Sequence, residues 1–189
     1  QRHFTGTGRN SFVMGVYPLL EDETCKFLAI DFDKGGWQDE VLSAKSIFKE
    51  YEIDSYIERS RSGNGGHLWV FFSEQVEAHI ARKLGIKVLE TAMSRTGNSK
   101  FESFDRLFPN QDHMPKGGYG NLIALPLQRQ SVENENSVFV DDTFHMYASQ
   151  IAVLQSIRRY SRTEILGVIK MFPNIILDDV NNREIEEED

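Results

Sequence analysis

Two carboxylates separated by one aromatic, Asp31-Phe32-Asp33, follow directly on the apolar run Phe27-Leu28-Ala29-Ile30. Alternate side chains of a β-strand share a face, so Asp31 and Asp33 stand together while Phe32 points into packing. Acids placed in this way repel each other unless positive charge lies between them, and a divalent ion held together with substrate phosphates supplies it. The plain alternative is a strand that ends in two solvated acids. A second group, Ser62-Gly63-Asn64-Gly65-Gly66-His67, has the composition of a ligand-holding turn. Its glycines let backbone amides come close and converge on an anion, while Ser62 and His67 add side-chain donors. Arg59 and Arg61 bring positive charge to the same turn, against the simpler reading of a Gly-rich hairpin with a half-buried histidine. The third group is Phe104-Asp105-Arg106, an acid flanked by bulk. If Asp105 returns to the face of Asp31 and Asp33, three carboxylates can hold two divalent ions about 3.5–4 Å apart for an in-line phosphoryl displacement. Asp112 competes with Asp105 for the third place.

The elements that must position these groups are legible as alternating apolar periods. Residues 12–20, which include Pro18, read as an edge strand that forms a hairpin with the strand of Asp31 and Asp33 through a turn at 21–24. Gly35 and Gly36 end that second strand. Residues 37–51 place Val41, Ala44, Phe48 and Tyr51 at three- and four-residue spacing, which predicts an amphipathic helix. A strand over 54–58 then gives a βαβ-like order. Residues 62–67 form the turn into an apolar strand at 68–72, whose Trp69, Phe71 and Phe72 suit a core better than a base-stacking platform. A helix over 76–93 carries Ile80, Leu84 and Val88 on one face, and 94–100 is a loop. Asp105 lies in 101–108, followed by a long surface loop over 109–120, a buried strand over 121–128 and another over 137–140. Helices over 149–160 and 163–171 follow. Residues 1–11 are polar and Gly-rich, hence a loop, and 177–189 read as an acidic tail or linker beyond a domain spanning 1–176.

With 189 residues, 40% of them hydrophobic and 26% charged, the chain has the composition of an ordinary globular domain with ample core. Its single cysteine, Cys25, excludes a disulfide within the chain and a cysteine-rich zinc cluster. No secretory signal or membrane-length apolar run is present, so no membrane partner and a cytoplasmic setting are expected. The formal net charge is −8, of which residues 178–189 supply −6 through seven acids and one arginine, leaving −2 for the body. A nearly neutral body with Arg59, Arg61, Arg158, Arg159 and Arg162 grouped locally allows a basic groove, not a strong nonspecific grip on DNA.

Taken in order, Asp31-x-Asp33, the Ser-Gly-Asn-Gly-Gly-His segment and Phe-Asp105-Arg resemble the three motifs of the archaeo-eukaryotic primase superfamily. More specifically, residues 27–34, 58–72 and 103–128 resemble the primase domains of TOTE conflict systems and of CRISPR-associated primase-polymerases, a likeness that covers about residues 12–160. The resemblance implies an α/β (α+β) fold: a compact αβ unit plus an RNA-recognition-motif-like sheet, with the active site in the cleft between them. It implies that Asp31, Asp33 and Asp105 bind two ions of Mg²⁺ or Mn²⁺, with no zinc. Ser62 and His67 would meet the triphosphate of an incoming nucleotide, assisted by Arg61, Gly63, Gly65 and Gly66. Relatives in bacterial end-joining ligases carry a phosphate-reaching arginine where this chain has Pro126-Leu127-Gln128-Arg129, which leaves both Gln128 and Arg129 as candidates. The implied activity is template-dependent addition of dNTP or NTP units to a primer, or initiation of one. The implied partners are single-stranded or primed DNA, or RNA, and a helicase or other domains in a longer polypeptide. A first residue of Gln suits such an excised piece. Two other classes stay open: a metal-dependent nuclease or phosphodiesterase using the same acids, and a catalytically silent nucleic-acid-binding module.

Overall fold

Every second residue of the Asp31 strand is apolar and faces two helices, and this alternation organises the sheet. In the computed structural model, which describes residues 2–6 and 12–173, that strand is β2 (Thr24–Asp33). Four further strands, β3 (Tyr56–Arg59), β4 (Gly65–Glu77), β5 (Phe104–Phe108) and β7 (Val138–Val140), join it in the order β5-β2-β4-β3-β7 with antiparallel neighbours throughout. Helix α2 (Trp37–Glu50) links β2 to β3 and helix α3 (Ala78–Thr96) links β4 to β5, so β4 is inserted between β2 and β3. This is the split βαβ arrangement, and the RNA-recognition-motif-like sheet expected from the resemblance is present in an α+β fold.

Leu28, Ile30 and Phe32 of β2 and Leu68, Val70 and Phe72 of β4 pack in one cluster with Val41, Ala44 and Phe48 of α2 and Ile80, Leu84 and Val88 of α3. The predicted helix faces are therefore the ones buried. On the other side of the sheet a smaller cluster holds Ala29, Trp69, Phe108, Ile123 and Phe139. The Trp69 and Phe71 rings stack there with centroids 5.9 Å apart, which makes Trp69 core, as its composition suggested. A two-stranded sheet of β1 (Gly15–Val16) and β6 (Ile123–Ala124) and the short helix α5 (Gln150–Ser156), through Val153, cover this second cluster.

Several boundaries differ from expectation, each for a physical reason. Residues 12–20 form no hairpin with β2, because both edges of β2 are already paired, with β4 and β5, and β1 pairs with β6 instead. The turn expected over 62–67 is confined to 61–64, and Gly65, Gly66 and His67 belong to β4. Glycine is needed there inside a strand: a Cβ on Gly65 would lie 2.4 Å from the Phe32 carbonyl oxygen, and one on Gly66 2.4 Å from the Trp37 ring. Within 121–128 only β6 is extended; Leu127 turns the chain with a φ of +66°, and Gln128 caps an unexpected helix, α4 (Arg129–Val132). The helix expected over 149–160 stops at Ser156, and β8 (Arg159–Tyr160) then pairs parallel with β4. Helix α6 (Arg162–Met171) begins with a capping box between Ser161 and Glu164. A short helix, α1 (Arg2–Thr5), occupies part of the expected N-terminal loop. The remainder of that loop, 7–11, and the acidic segment 177–189 lie outside the described residues. Among the described residues no helix is long and apolar enough to cross a membrane.

Cys25 is fully buried on β2, and burial pushes its thiol up to about 12. A thiol reagent at pH 8 should therefore label it only through unfolding. Phe48→Ala, which empties a fully buried site at a cost of about 3–5 kcal/mol, should speed that labelling at least about a hundredfold; equal rates in the two proteins would mean that labelling does not pass through loss of this core.

Candidate active site

The sheet register brings four ionisable residues from four strands into one row. Arg106 of β5 lies opposite Asp31 of β2, Asp31 opposite His67 of β4, and His67 opposite Glu58 of β3. Directly opposed residues of an antiparallel pair present their side chains on the same face. The row thus runs cation, acid, histidine, acid across the sheet. A bulge in β5 adds the third expected acid: Phe104 opposes Phe32 and Arg106 opposes Asp31, so Asp105 is an extra residue between them. Its carboxylate pairs with the Arg106 guanidinium at 2.6 Å.

Two contacts fix where the acids stand. The Asp33 N–H donates to the Ser103 carbonyl at 2.6 Å, joining the end of β2 to the chain that leads into β5. That same stretch is held by Glu40 in the first turn of α2, whose carboxylate accepts from the Glu102 N–H at 2.9 Å, the Ser103 N–H at 3.0 Å and the Ser103 hydroxyl. A side chain at Gly65 would approach Asp33 Oδ1 to 2.7 Å, so the bare backbone of β4 leaves that carboxylate its place.

The electrostatics show which acids share a field. Burial pushes the Asp31 carboxyl up to about 6; His67 and Arg106 counter this, while Asp33 and Asp105 add to it. Asp105, not Asp112, is therefore the third acid near Asp31. Asp112 pairs instead with Arg82 of α3 at 2.8 Å. Burial alone would lower the His67 pKa, but the charge and hydrogen bond of Glu58, with the charges of Asp31 and Asp33, raise it overall. His67 Nδ1 lies 2.8 Å from Glu58 Oε2, and its Nε2 lies 3.4 Å from Asp31 Oδ1.

Glu58 is a site residue that the sequence reading did not single out. It is 2% exposed, and its Oε2 also accepts from the Trp69 indole N–H at 3.0 Å. Only the β3–β4 register sets it against His67; the available signal was an acid directly after Tyr56-Ile57 at the end of the expected strand.

The remaining candidates occupy the turn and the segment beside it. Ser62 Oγ sits 3.1 Å from Ser60 Oγ and accepts from the Asn64 N–H at 3.2 Å, while the Gly63 N–H donates to the Ser60 carbonyl at 3.0 Å. These two amides are thus used within the turn. Arg61 is exposed beside them, whereas Arg59 is a brace, donating to the carbonyls of Glu135 and Phe144. Gln128 is buried; its Oε1 accepts from the Ser131 N–H at 2.9 Å, and its Nε2 has no partner among the described residues. Ser137 connects this residue to the turn, accepting from the Gln128 N–H at 3.3 Å and donating its own N–H to the Ser60 carbonyl at 3.3 Å. Arg129 lies outside, paired with Glu133 at 3.0 Å across one helical turn.

Carboxylate oxygens are the donors that Mg²⁺ and Mn²⁺ prefer, and Asp31 feels the repulsion of two neighbouring acids, so the donor chemistry fits such ions. Among the described residues no three acid, histidine or cysteine side chains form a ready-made ligand group, and Arg106 is the cation now in contact with Asp105.

Glu40→Ala should cost about 1–3 kcal/mol, because it leaves the 102–103 donors without their acceptor, and should loosen the strand that carries Asp105. Amide hydrogen exchange at Glu102 and Ser103 checks this, and unchanged protection there would show that the tie does not hold β5.

A family model described as the archaeo-eukaryotic primase domain of TOTE conflict systems matches residues 1–168. No curated protein matches the chain. The family match spans most of the 189 residues and takes in Asp31, Asp33, His67 and Asp105 together with Glu58. With this match and the split βαβ sheet that carries those residues, the chain belongs to the archaeo-eukaryotic primase domains of TOTE conflict systems.

Proposed function

We propose that this domain is a template-dependent nucleotidyltransferase, a primase, a DNA polymerase or both, that adds nucleotides to a primer or starts one. The observation that supports this reading best is that Asp31 feels the charges of both Asp33 and Asp105 and lies 3.4 Å from His67. Those three acids would hold two Mg²⁺ or Mn²⁺ ions. Bound there, such ions supply Lewis-acid charge for the attacking and leaving oxygens of phosphoryl transfer. His67 would meet the triphosphate through Nε2, the ring nitrogen turned toward the acids, as a charged donor to a phosphate oxygen. Gly65 leaves the backbone bare beside Asp33, so no side chain there would hold a triphosphate away, and Gly63 and Gly66 would complete the glycine-rich segment on the nucleotide side. Ser62 and Arg61 offer a hydroxyl and a charge at the rim of the site. Gln128 Nε2 is a buried donor without a partner among the described residues, and Arg129 the surface alternative for contact with phosphate. The sheet face that carries Asp31 would take single-stranded or primed DNA, or RNA, with a helicase or other domain as working partner in the cytoplasm.

Labelled primer–template and unprimed single strands, incubated with Mg²⁺ or Mn²⁺ and with or without dNTPs and NTPs, test the proposal. Lengthening that requires nucleotides supports it, shortening without nucleotides identifies a nuclease, and binding without either identifies a silent module. Asp31→Ala with Asp33→Ala should reduce synthesis to background while circular dichroism stays unchanged, and chelation should do the same to the unaltered protein. His67→Ala removes a charge-assisted hydrogen bond of about 1.5–3 kcal/mol, so the nucleotide KM should rise about ten- to a hundredfold. An unchanged KM would take His67 out of the nucleotide site.

A further inference from the structure

Glu58 is the only buried acid among the described residues, and a carboxylate without water must find its hydrogen bonds in the protein. Both of its identified donors come from the facing strand β4 and converge on Oε2: the Trp69 indole N–H at 3.0 Å and His67 Nδ1 at 2.8 Å. An ionised carboxylate only accepts and an indole N–H only donates, so the hydrogen between His67 and Glu58 belongs to Nδ1. In a neutral ring Nε2 is then the bare nitrogen, and it is the one that faces Asp31 at 3.4 Å. The free imidazole favours the opposite tautomer, with hydrogen on Nε2. A histidine held this way has both its ring orientation and its tautomer fixed before any ligand arrives, as happens when a carboxylate hydrogen-bonds the far nitrogen of a metal-bound histidine.

We infer that Glu58 is a positioning residue: it holds His67 in the Nδ1–H form and aims Nε2 at the acidic face, while Trp69 holds Glu58 in turn. It rests on the nucleotidyltransferase reading only in naming a nucleotide triphosphate as what Nε2 meets, the nitrogen then carrying the second hydrogen of the charged ring and donating it to a phosphate oxygen. Trp69 thereby has two tasks, a ring stacked on Phe71 in the core and an N–H that keeps the carboxylate of Glu58 in place.

Nitrogen-15 NMR of the His67 ring tests this in the ligand-free protein, at a pH high enough for the imidazole to be neutral. The expected spectrum is that of the Nδ1–H tautomer. Glu58→Ala should convert it to the Nε2–H tautomer, whereas Glu58→Gln, whose carbonyl can still accept, should retain Nδ1–H. In parallel, Glu58→Ala should raise the nucleotide KM at least about tenfold with primer–template affinity unchanged, and Glu58→Gln should restore most of that loss. Trp69→Phe, which keeps an aromatic ring in the core and removes the donor, should give a mixture of tautomers. An Nε2–H tautomer in the unaltered protein overturns the inference, as does a tautomer and KM indifferent to Glu58→Ala, for then the acid serves folding alone. If Glu58→Ala fails to fold, the unaltered and Glu58→Gln spectra still decide. Absence of any nucleotide addition by the unaltered protein would defeat the nucleotidyltransferase reading without touching the tautomer result. Normal addition with the wrong tautomer would do the reverse.

Discussion

The structure depends on the register between β2 and its two neighbours. Sliding β4 by one residue along β2 would turn His67 and Trp69 toward the helices and Leu68 and Val70 toward the acids. The charged row cannot hold this register by itself. A cross-strand polar pair is worth about 0.2–1 kcal/mol, whereas each fully buried leucine, isoleucine or phenylalanine contributes about 1.5–3 kcal/mol. Leu28, Ile30 and Phe32 against Leu68, Val70 and Phe72 therefore set the alignment, and the ionisable row on the reverse face is aligned as a consequence. Hydrophobic burial on one side of the sheet is what aligns the ionisable groups on the other.

The row is held short of neutrality. His67 and Arg106 offset part of the acidic charge, yet burial and the neighbouring acids still leave Asp31 harder to ionise than a free aspartate. A protein stabilised for its own sake would replace such a group by an apolar one, since buried charge is costly unless fully paired. The group is nevertheless kept in place, braced by Glu40 through Ser103 and by bare glycine backbone on β4, which is what the proposed binding of a cationic or phosphate-bearing ligand would require.

Local patterns made much of this legible. The two-residue spacing of Asp31 and Asp33 and the apolar faces of α2 and α3 are short-range features, and the sequence carries them directly. The resemblance placed Asp105 with them, and the split βαβ sheet follows the same likeness. What escaped depends on contacts between distant segments. Gly65 and Gly66 look like turn residues by composition, but they serve the close approach of Phe32 and the Trp37 ring, which no local pattern encodes. The hairpin expected at the N-terminal end failed because β5, from far along the chain, occupies the edge that it needed. Gln128 reads as strand in an apolar run, yet the positive φ at Leu127 turns it into a helix cap. Glu58 gains meaning only when β3 is laid against β4.

The bulge in β5 has a consequence for how such a domain can drift. Remove residue 105, and Phe104 and Arg106 become consecutive partners of Phe32 and Asp31, so the ladder closes without interruption. A one-codon deletion would therefore yield a more regular sheet that has lost an acid from beside Asp31. Backbone order and the third carboxylate exclude each other at this point, so one lost residue would exchange the acid proposed as a metal ligand for an uninterrupted ladder.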